Sequence, residues 1–238
     1  MSRPVSARIP LLLLPGLLCD AALWQPQVDG LADIAEMTVA DLRHDDSVDA
    51  MARRVLDGYA PERFALAGLS MGGYVAQEIM RQAPHRVDRL ALFDTRCAAD
   101  TEERMKHRRG LLELAEIGKF RGVTRRLMPM LLHQDRLGEE DLTDAVMAMA
   151  DNIGRDAFFR QQKAVMTRPD GRWDLQRIQC PVLVLCGRQD AITTLPEHEE
   201  MAALIPNATL VVIEHCGHLA TMERPDEVNA AMRAWLTS

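Results

Sequence analysis

The sequence predicts an α/β fold with a mostly parallel central sheet flanked by helices and a helical cap insertion. Short apolar runs alternate with amphipathic segments towards both ends of the 238-residue chain, as in parallel sheets whose strands are joined by helices. Between about residues 100 and 170 only helical patterns occur. The length suits one sizeable domain, so we expect a single domain, 1–238, with its cap at about 100–170.

The strands are predicted from continuous apolar runs, which are typical of parallel strands covered on both faces. Such runs occupy residues 9–14, 64–67, 90–93 and 181–186, and further strands are expected at 37–42 and 208–213. Helical patterns separate them at about 24–31, 45–59, 71–82, 196–204 and 225–236. Within the cap, helical patterns cover 102–117, 120–132, 139–153 and 156–167.

The first apolar run needs separate consideration because Arg3 and Arg8 precede it, as in a secretion signal. Pro15 and Gly16 interrupt the run, no small-residue cleavage site follows closely, and bulky Leu18 stands where a lipoprotein signal has a small residue. The run is also too short to cross a bilayer. We interpret it as a buried strand and predict a cytoplasmic protein that does not bind membranes.

Composition and charge indicate a globular protein and argue against a nucleic-acid partner. Hydrophobic residues make up 47% and charged residues 26% of the chain, which is ordinary for a globular protein. The formal net charge of −7 argues against a nucleic-acid partner, which needs a basic face. The five cysteines are an odd number without CxxC spacing, which indicates free thiols in a reducing compartment.

The pattern Gly68-Leu69-Ser70-Met71-Gly72 lies between a predicted strand and a predicted helix. This is the setting of a nucleophile elbow, a tight turn that exposes a serine hydroxyl. Such a turn forces Ser70 into strained backbone angles, and glycines at 68 and 72 leave room for the adjacent strand and helix. The alternative is a glycine-rich turn in which Ser70 is only a helix cap.

The candidate catalytic residues are Ser70, Asp190 and His218. Each follows a predicted strand, and ligands bind beyond the carboxyl ends of parallel strands. A serine hydroxyl needs a base, for which His218 is suited, and the histidine needs an acceptor such as Asp190 on its other nitrogen. Asp190 has the alternative role of a turn cap.

Asp94 also ends a strand and is an alternative partner for His218. His215 lies three residues before His218, but Gly217 gives the latter more freedom to turn inward. The other histidines are expected in helices or exposed loops, in contact with solvent: His44, His85, His107, His133 and His198.

An oxyanion needs two preorganised donors, for which we predict the backbone N–H groups of Leu17 and Met71. The substrate pocket is expected to include Leu18 and Trp24 near the nucleophile, and Met128 and Leu131 from the cap. Leu127 and Met130 are further candidates for its roof. Neither a phosphate-binding glycine loop nor metal-ligand spacing occurs in the sequence, so we expect no cofactor and no metal.

Positive charge is concentrated in the cap. Eight Lys and Arg residues against two Glu residues give the segment 104–126 a formal charge of 8 − 2 = +6. Such a patch suits an acidic carrier protein, a CoA thioester or a carboxylated substrate. A solvated helix face is the simpler alternative.

Together the motifs resemble those of the α/β-hydrolase superfamily over nearly the whole chain, most of all small capped esterases such as pimeloyl-carrier methyl esterases and 3-oxoadipate enol-lactonases. They are the elbow, the Gly187-Arg188-Gln189-Asp190 turn, and Cys216-Gly217-His218 with Glu223-Arg224-Pro225. The resemblance implies an α/β-hydrolase fold, a Ser70–His218–Asp190 triad and a helical cap between the strands ending at Asp94 and Cys186. Pro15-Gly16 departs from the His-Gly often found in the oxyanion loop of this superfamily.

The sequence therefore predicts a serine hydrolase that cleaves small carboxylic esters through an acyl-enzyme. Thioesterase, enol-lactonase and cofactor-free haloperoxidase activities are alternatives on the same triad, and a lyase is less favoured. A non-catalytic ligand-binding receptor is the alternative from a different class.

Overall fold

The centre of the molecule is a parallel sheet, and the computed structural model describes residues 8–59 and 61–238. Arg3, used above to interpret the N-terminus, lies outside these residues. Six strands are present in the described part: β1 (Ile9–Leu14), β2 (Ala35–Val39), β3 (Phe64–Leu69), β4 (Val87–Phe93), β5 (Val182–Gly187) and β6 (Ala208–Ile213). They pair in the order β2–β1–β3–β4–β5–β6, and every neighbouring pair is parallel, so the predicted sheet is confirmed.

Helices connect the strands and cover both faces of the sheet. They are α1 (Gln25–Gly30), α2 (Val48–Gly58), α3 (Met71–Gln82), α4 (Glu102–Leu114), α5 (Met128–Leu131), α6 (Glu140–Thr167), α7 (Arg172–Leu175), α8 (Leu195–Leu204), α9 (Ala220–Glu223) and α10 (Pro225–Thr237). Side chains alternate across a strand, and β1 accordingly contributes Leu11 and Leu13 to one apolar core and Leu12 and Leu14 to another.

Burial separates the inner strands from the edges. Every residue of β3 and β5 is buried, whereas the edge strand β2 alternates between buried or half-buried and exposed positions. The continuous apolar runs in the sequence therefore mark the strands covered on both faces.

The segment between β4 and β5 is described completely and contains no strand. The helix predicted over 120–132 is wrong: only a 3₁₀ turn, Arg125–Leu127, and the short α5 form there. Gly122 has a φ of +61°, outside the helical region, and Pro129 lacks a backbone N–H. By contrast, the break predicted near residue 154 is present, since Gly154 interrupts α6 with a φ of +76°.

Two further observations concern the sequence predictions. All five cysteines lie in the described part of the chain and none forms a disulfide. Within residues 8–59 and 61–238, no helix has the length and apolar character needed to cross a membrane.

Candidate active site

The elbow between β3 and α3 holds Ser70 in an unusual backbone conformation. Its φ is 54° and its ψ is −114°, a region that costs a non-glycine residue about 1–3 kcal/mol. Hydrogen bonds on both sides hold it there: Ser70 N–H donates to Phe93 O at 2.9 Å, and Thr95 Oγ1 donates to Ser70 O at 2.8 Å. The predicted strained turn is therefore present.

The glycines flanking this turn are required by close approach of the backbone. A Cβ at Gly72 would lie 2.1 Å from Leu14 O, and one at Gly68 would lie 2.3 Å from Gly72 O. Neither position has space for a side chain. These contacts allow β3, α3 and β1 to meet directly beneath Ser70.

A line of hydrogen bonds joins the three residues that the sequence singled out. His218 Nε2 lies 3.0 Å from Ser70 Oγ, and His218 Nδ1 lies 2.8 Å from Asp190 Oδ2. His218 and Asp190 are 3% and 4% exposed, so the line is shielded from bulk water. The arrangement can accept a proton from the serine hydroxyl, as general-base chemistry requires.

Thr193, which the sequence analysis missed, completes the surroundings of Asp190. Its Oγ1 donates to Asp190 Oδ2 at 2.7 Å, and the N–H groups of Ile192 and Thr193 donate to Oδ1 at 2.8 and 3.0 Å. Burial raises the pKa of Asp190, but the charge of His218 and the hydrogen bonds from His218 and Thr193 outweigh it. The pKa of Asp190 therefore lies below its usual value.

The alternative carboxylate, Asp94, has different partners. Its Oδ1 accepts Gly187 N–H at 3.0 Å and its Oδ2 accepts Ala220 N–H at 3.1 Å. No hydrogen bond links it to His218 among the described residues. Burial, together with the nearby negative charge of Asp190, raises the pKa of Asp94 well above its usual range. Asp94 therefore connects the loop that carries Asp190 to the loop that carries His218.

Glu223 organises the loop that carries His218, a role that the sequence analysis did not assign to it. Its Oε1 accepts the N–H groups of Gly217 and Leu219 at 2.9 and 3.3 Å, while its Oε2 accepts His133 N–H at 2.7 Å. Burial raises the pKa of Glu223 even though these N–H groups oppose the shift. One buried carboxylate thus joins the cap to the His218 loop.

The predicted oxyanion donors lie beside the serine. Leu17 and Met71 both line the cavity in front of Ser70, and a Cβ at Gly16 would lie 3.5 Å from Ser70 Cβ. Within the described part of the chain, neither Leu17 N–H nor Met71 N–H has a hydrogen-bond acceptor. Both donors are therefore available to a ligand.

Gln161, in α6, holds the turn after β1. Leu18 N–H donates to Gln161 Oε1 at 3.0 Å, and Gln161 Nε2 donates to Leu42 O at 3.3 Å. Leu18 has a φ of 60°, so the turn depends on such support. Since Leu18 and Gln161 are 143 positions apart, no local pattern could reveal this contact.

A cavity of about 570 Å³ opens in front of Ser70 and His218, between the strand ends and the cap. Leu18 and Leu131 line it as predicted, as do Leu127 and Met130. The apolar lining suits the carbon skeleton of a small ligand.

Two predicted pocket residues do not line this cavity. Trp24 is fully buried and packs against the ring of Phe93 with centroids 5.7 Å apart. Met128 is 2% exposed and belongs to the core beneath the cap. Both predictions are corrected because these side chains point into packed interior, where apolar burial holds them.

Several basic side chains of the cap line the cavity. Arg108 is held by an ion pair with Asp100 and a hydrogen bond to Gln162 at 2.8 Å. The other three are exposed and form no ion pair within the described part of the chain: Lys119, Arg121 and Arg126. The cavity therefore has an apolar interior with positive charge near its cap side.

The prediction that the remaining histidines contact solvent is wrong for two of them. His198 is fully buried, where its Nε2 accepts Thr95 N–H and its Nδ1 donates to Thr194 O, both at 3.0 Å. His133 is 7% exposed. Both histidine side chains form hydrogen bonds with backbone groups instead of with water, as buried polar groups require.

Comparison with known proteins agrees with this architecture. A model of the alpha/beta hydrolase family matches residues 11–231. The pimeloyl-[acyl-carrier protein] methyl ester esterase of Nitrosomonas europaea is 29% identical over 234 residues, covering 91% of each chain. The 3-oxoadipate enol-lactonase 2 of Acinetobacter baylyi is 25% identical over 188 residues, covering 76% of this chain and 66% of the relative. A malate-bound thermophilic esterase of Thermogutta terrifontis is 31% identical, with a TM-score of 0.87 over 96% of this chain and 89% of its own. The chain thus belongs to the alpha/beta hydrolase family.

Proposed function

We propose that the protein hydrolyses small carboxylic esters through an acyl-enzyme formed on Ser70. The observation that carries this proposal is the unbroken line from Asp190 Oδ2 through His218 to Ser70 Oγ, with contacts of 2.8 and 3.0 Å. A pocket that only binds a ligand has no need of a base and its orienting carboxylate. The family and its esterase relatives support the same reaction.

In the first half of the reaction, Ser70 Oγ attacks the ester carbonyl while His218 Nε2 accepts the serine proton. Asp190 keeps the proton of the imidazole on Nδ1 and stabilises the positive charge that forms on the ring. The carbonyl oxygen becomes an oxyanion, for which Leu17 N–H and Met71 N–H are the proposed donors. His218 then protonates the departing alcohol, leaving an ester of Ser70.

In the second half, water attacks the acyl group. His218 removes a proton from this water, the same two N–H groups hold the oxyanion, and Ser70 leaves with the proton from the imidazole. The carboxylic acid is released and the free enzyme is regenerated. No cofactor takes part in either half of this scheme.

The cap indicates the type of acyl or alcohol group. The cavity interior is apolar, whereas Lys119, Arg121 and Arg126 offer positive charge without ion-pair partners in the described part of the chain. We therefore propose an ester whose far end carries negative charge. The relatives support this choice, because one is named for an ester on an acyl-carrier protein and another was solved with malate, a dicarboxylate.

An acyl group carried by an acidic carrier protein or by CoA would present negative charge to the same cations, so both are candidate substrates.

Enol-lactone hydrolysis is the second candidate function. It uses the same steps with a leaving group that stays attached to the acyl chain, and a relative bears this name. A cytoplasmic location remains a prediction from the sequence.

The proposed nucleophile is tested by fluorophosphonate labelling with peptide mapping, together with turnover of p-nitrophenyl esters from acetate to decanoate. We expect one adduct per chain on Ser70, and no adduct and no turnover in Ser70→Ala. Full turnover in Ser70→Ala would refute the mechanism. Labelling without turnover of any ester would retain the nucleophile and direct the search to lactones and thioesters.

The charge preference is tested with Lys119→Gln and Arg126→Gln on two substrates, a neutral methyl ester and the monomethyl ester of a dicarboxylic acid. We expect KM to rise about two- to fivefold per variant for the anionic ester alone, because an exposed charge pair is worth up to about 1 kcal/mol. Lys106→Gln is the matched control, since Lys106 lies in the same cap but does not line the cavity. Equal effects on both esters would contradict an anionic substrate.

A further inference from the structure

Two histidines and an aspartate meet on the surface behind the His218 loop, away from the reaction described above. They are His133 and Asp135, in the segment that joins α5 to α6, and His215, in the loop after β6. One donor atom from each lies within 4.8 Å of the others. Positions 135 and 215 are far apart in the chain, which is why spacing in the sequence predicted no metal site.

Two of the three distances within this cluster match the ligand spacing of a metal ion, and the third is at most 4.8 Å. Asp135 Oδ2 lies 3.4 Å from His133 Nδ1 and also 3.4 Å from His215 Nδ1. In a tetrahedral zinc site with bonds of about 2.0–2.1 Å, neighbouring ligand atoms are about 3.3–3.4 Å apart. Both separations equal this edge.

The Nδ1 atom of His133 carries a lone pair that faces Asp135. It accepts Asp135 N–H at 3.2 Å, so this nitrogen carries no proton, and a metal ion bound there would replace this hydrogen bond. His133 is buried, while the side chains of His215 and Asp135 are 67% and 54% exposed. The cluster is therefore anchored on one side and open to solvent on the other.

The backbone of the His215 loop also supports the arrangement. His215 has a φ of 51°, a conformation that few non-glycine residues adopt, and it brings the ring within 5.4 Å of the His133 ring. Arg136 pairs with Glu139, which offsets the positive charge next to Asp135, and Arg224 Nε donates to His215 O at 2.9 Å, which holds the His215 loop.

We propose that His133, Asp135 and His215 bind one divalent transition-metal ion, with Zn²⁺ the ion that fits best. Two neutral imidazoles and one carboxylate supply three ligands, and water supplies the fourth. The ion connects the cap segment to the loop that ends at His218, three residues after His215. It takes no part in the hydrolytic steps and stabilises the contact between these two segments.

The test uses the full chain without an affinity tag, because a histidine tag binds the same ions. Zn²⁺ is titrated by calorimetry, and Co²⁺ reports tetrahedral geometry through its visible absorption. We expect one Zn²⁺ per chain, a tetrahedral Co²⁺ spectrum and a higher Tm with Zn²⁺. Absence of Zn²⁺ binding by this protein would overturn the proposal.

Two exposed ligands are suited to substitution without loss of folding. His215→Asn keeps a residue that tolerates positive φ, and Asp135→Asn keeps the side-chain shape. Each is expected to weaken Zn²⁺ binding at least about tenfold, since even residues outside the ligand shell contribute that much. Each is also expected to abolish the Tm increase, and unchanged affinity in both would overturn the proposal.

Two further variants distinguish this site from other histidines. His44→Ala removes an exposed histidine whose Nε2 lies 3.2 Å from a single carboxylate, Asp41 Oδ2, and we expect it to bind Zn²⁺ like the wild type. His218→Ala removes the proposed catalytic base and is expected to retain Zn²⁺ binding. Loss of binding in either variant, with retention in His215→Asn, would place the ion elsewhere.

Discussion

The acceptor on His218 Nδ1 offers the sharpest test of the proposed chemistry. Asp190 Oδ2 lies 2.8 Å from this nitrogen and keeps the ring proton there, which leaves the Nε2 lone pair facing Ser70 Oγ. In Asp190→Asn the new amide can donate to Nδ1 instead, so the ring proton moves to Nε2 and serine loses its base. We expect kcat to fall by about 10⁴-fold, which equals about 5.5 kcal/mol of transition-state stabilisation.

The same substitution at Asp94 is the matched control, because both aspartates are buried at strand ends. Asp94→Asn keeps one acceptor oxygen, so the N–H of either Gly187 or Ala220 loses its partner. This costs about 1–3 kcal/mol of unfolding free energy, measured by urea denaturation, with kcat changed only a few-fold. A 10⁴-fold loss in Asp94→Asn beside a mild loss in Asp190→Asn would refute the assignment and make Asp94 the partner of the base.

The stability difference between Asp94→Asn and the wild type also depends on pH. The pKa of Asp94 is raised in the folded protein, so its protonated form is favoured by folding. Stability from this group is present below its unfolded pKa of about 3.9 and is lost as pH rises through the folded pKa. The destabilisation of Asp94→Asn relative to wild type should therefore shrink as pH rises, measured by denaturation at several pH values. Parallel curves would contradict the raised pKa.

Substitutions at four other positions give distinct outcomes. Gly72→Ala places a Cβ 2.1 Å from Leu14 O and should lower the unfolding free energy by several kcal/mol or prevent folding. Gly110→Ala lies in open space within α4 and should instead raise the unfolding free energy by about 0.5–1 kcal/mol. Equal denaturation midpoints of the two variants would contradict this reasoning. Thr193→Val removes a 2.7 Å hydrogen bond to Asp190 Oδ2 and should lower kcat roughly tenfold. Thr193→Ser keeps the hydroxyl and should retain activity. Equally low kcat in both variants would indicate that the residue acts only by packing. Gln161→Leu frees the turn after β1 and should lower kcat more than it raises KM, which steady-state kinetics on one ester will measure.

The sheet and the residues at its strand ends were predictable because their signals are local. A continuous apolar run reports burial on both faces, and the residues of the elbow report a turn that only glycines at 68 and 72 allow. The hydrogen-bonded set of Ser70, Asp190 and His218 follows from chain order and strand ends. Thr193 was within reach as well, since a hydroxyl three residues after Asp190 is a familiar local cap.

The remainder depended on contacts between distant segments. Nothing near Gln161 in the sequence indicates that its amide receives Leu18 N–H, and nothing near Trp24 distinguishes a pocket wall from packed core. The cap helices were hardest to place because Gly118 and Gly122, with φ of +76° and +61°, interrupt patterns that are apolar enough for continuous helix. Apolar spacing predicts which face of a helix is buried, but it does not predict which residues that face packs against.

The cap is more than a cover for the cavity, because it holds part of the machinery in place. His218 N–H donates to Leu131 O at 2.9 Å, and Glu223 bonds both the cap at His133 and the loop at Gly217. An open site without the cap would therefore leave His218 N–H without its acceptor, Leu131 O, and Glu223 without one of its three backbone N–H donors. It follows that the cap and the proposed base form one structural unit, so changes in residues 131–133 should alter kcat even where no substrate contact is lost.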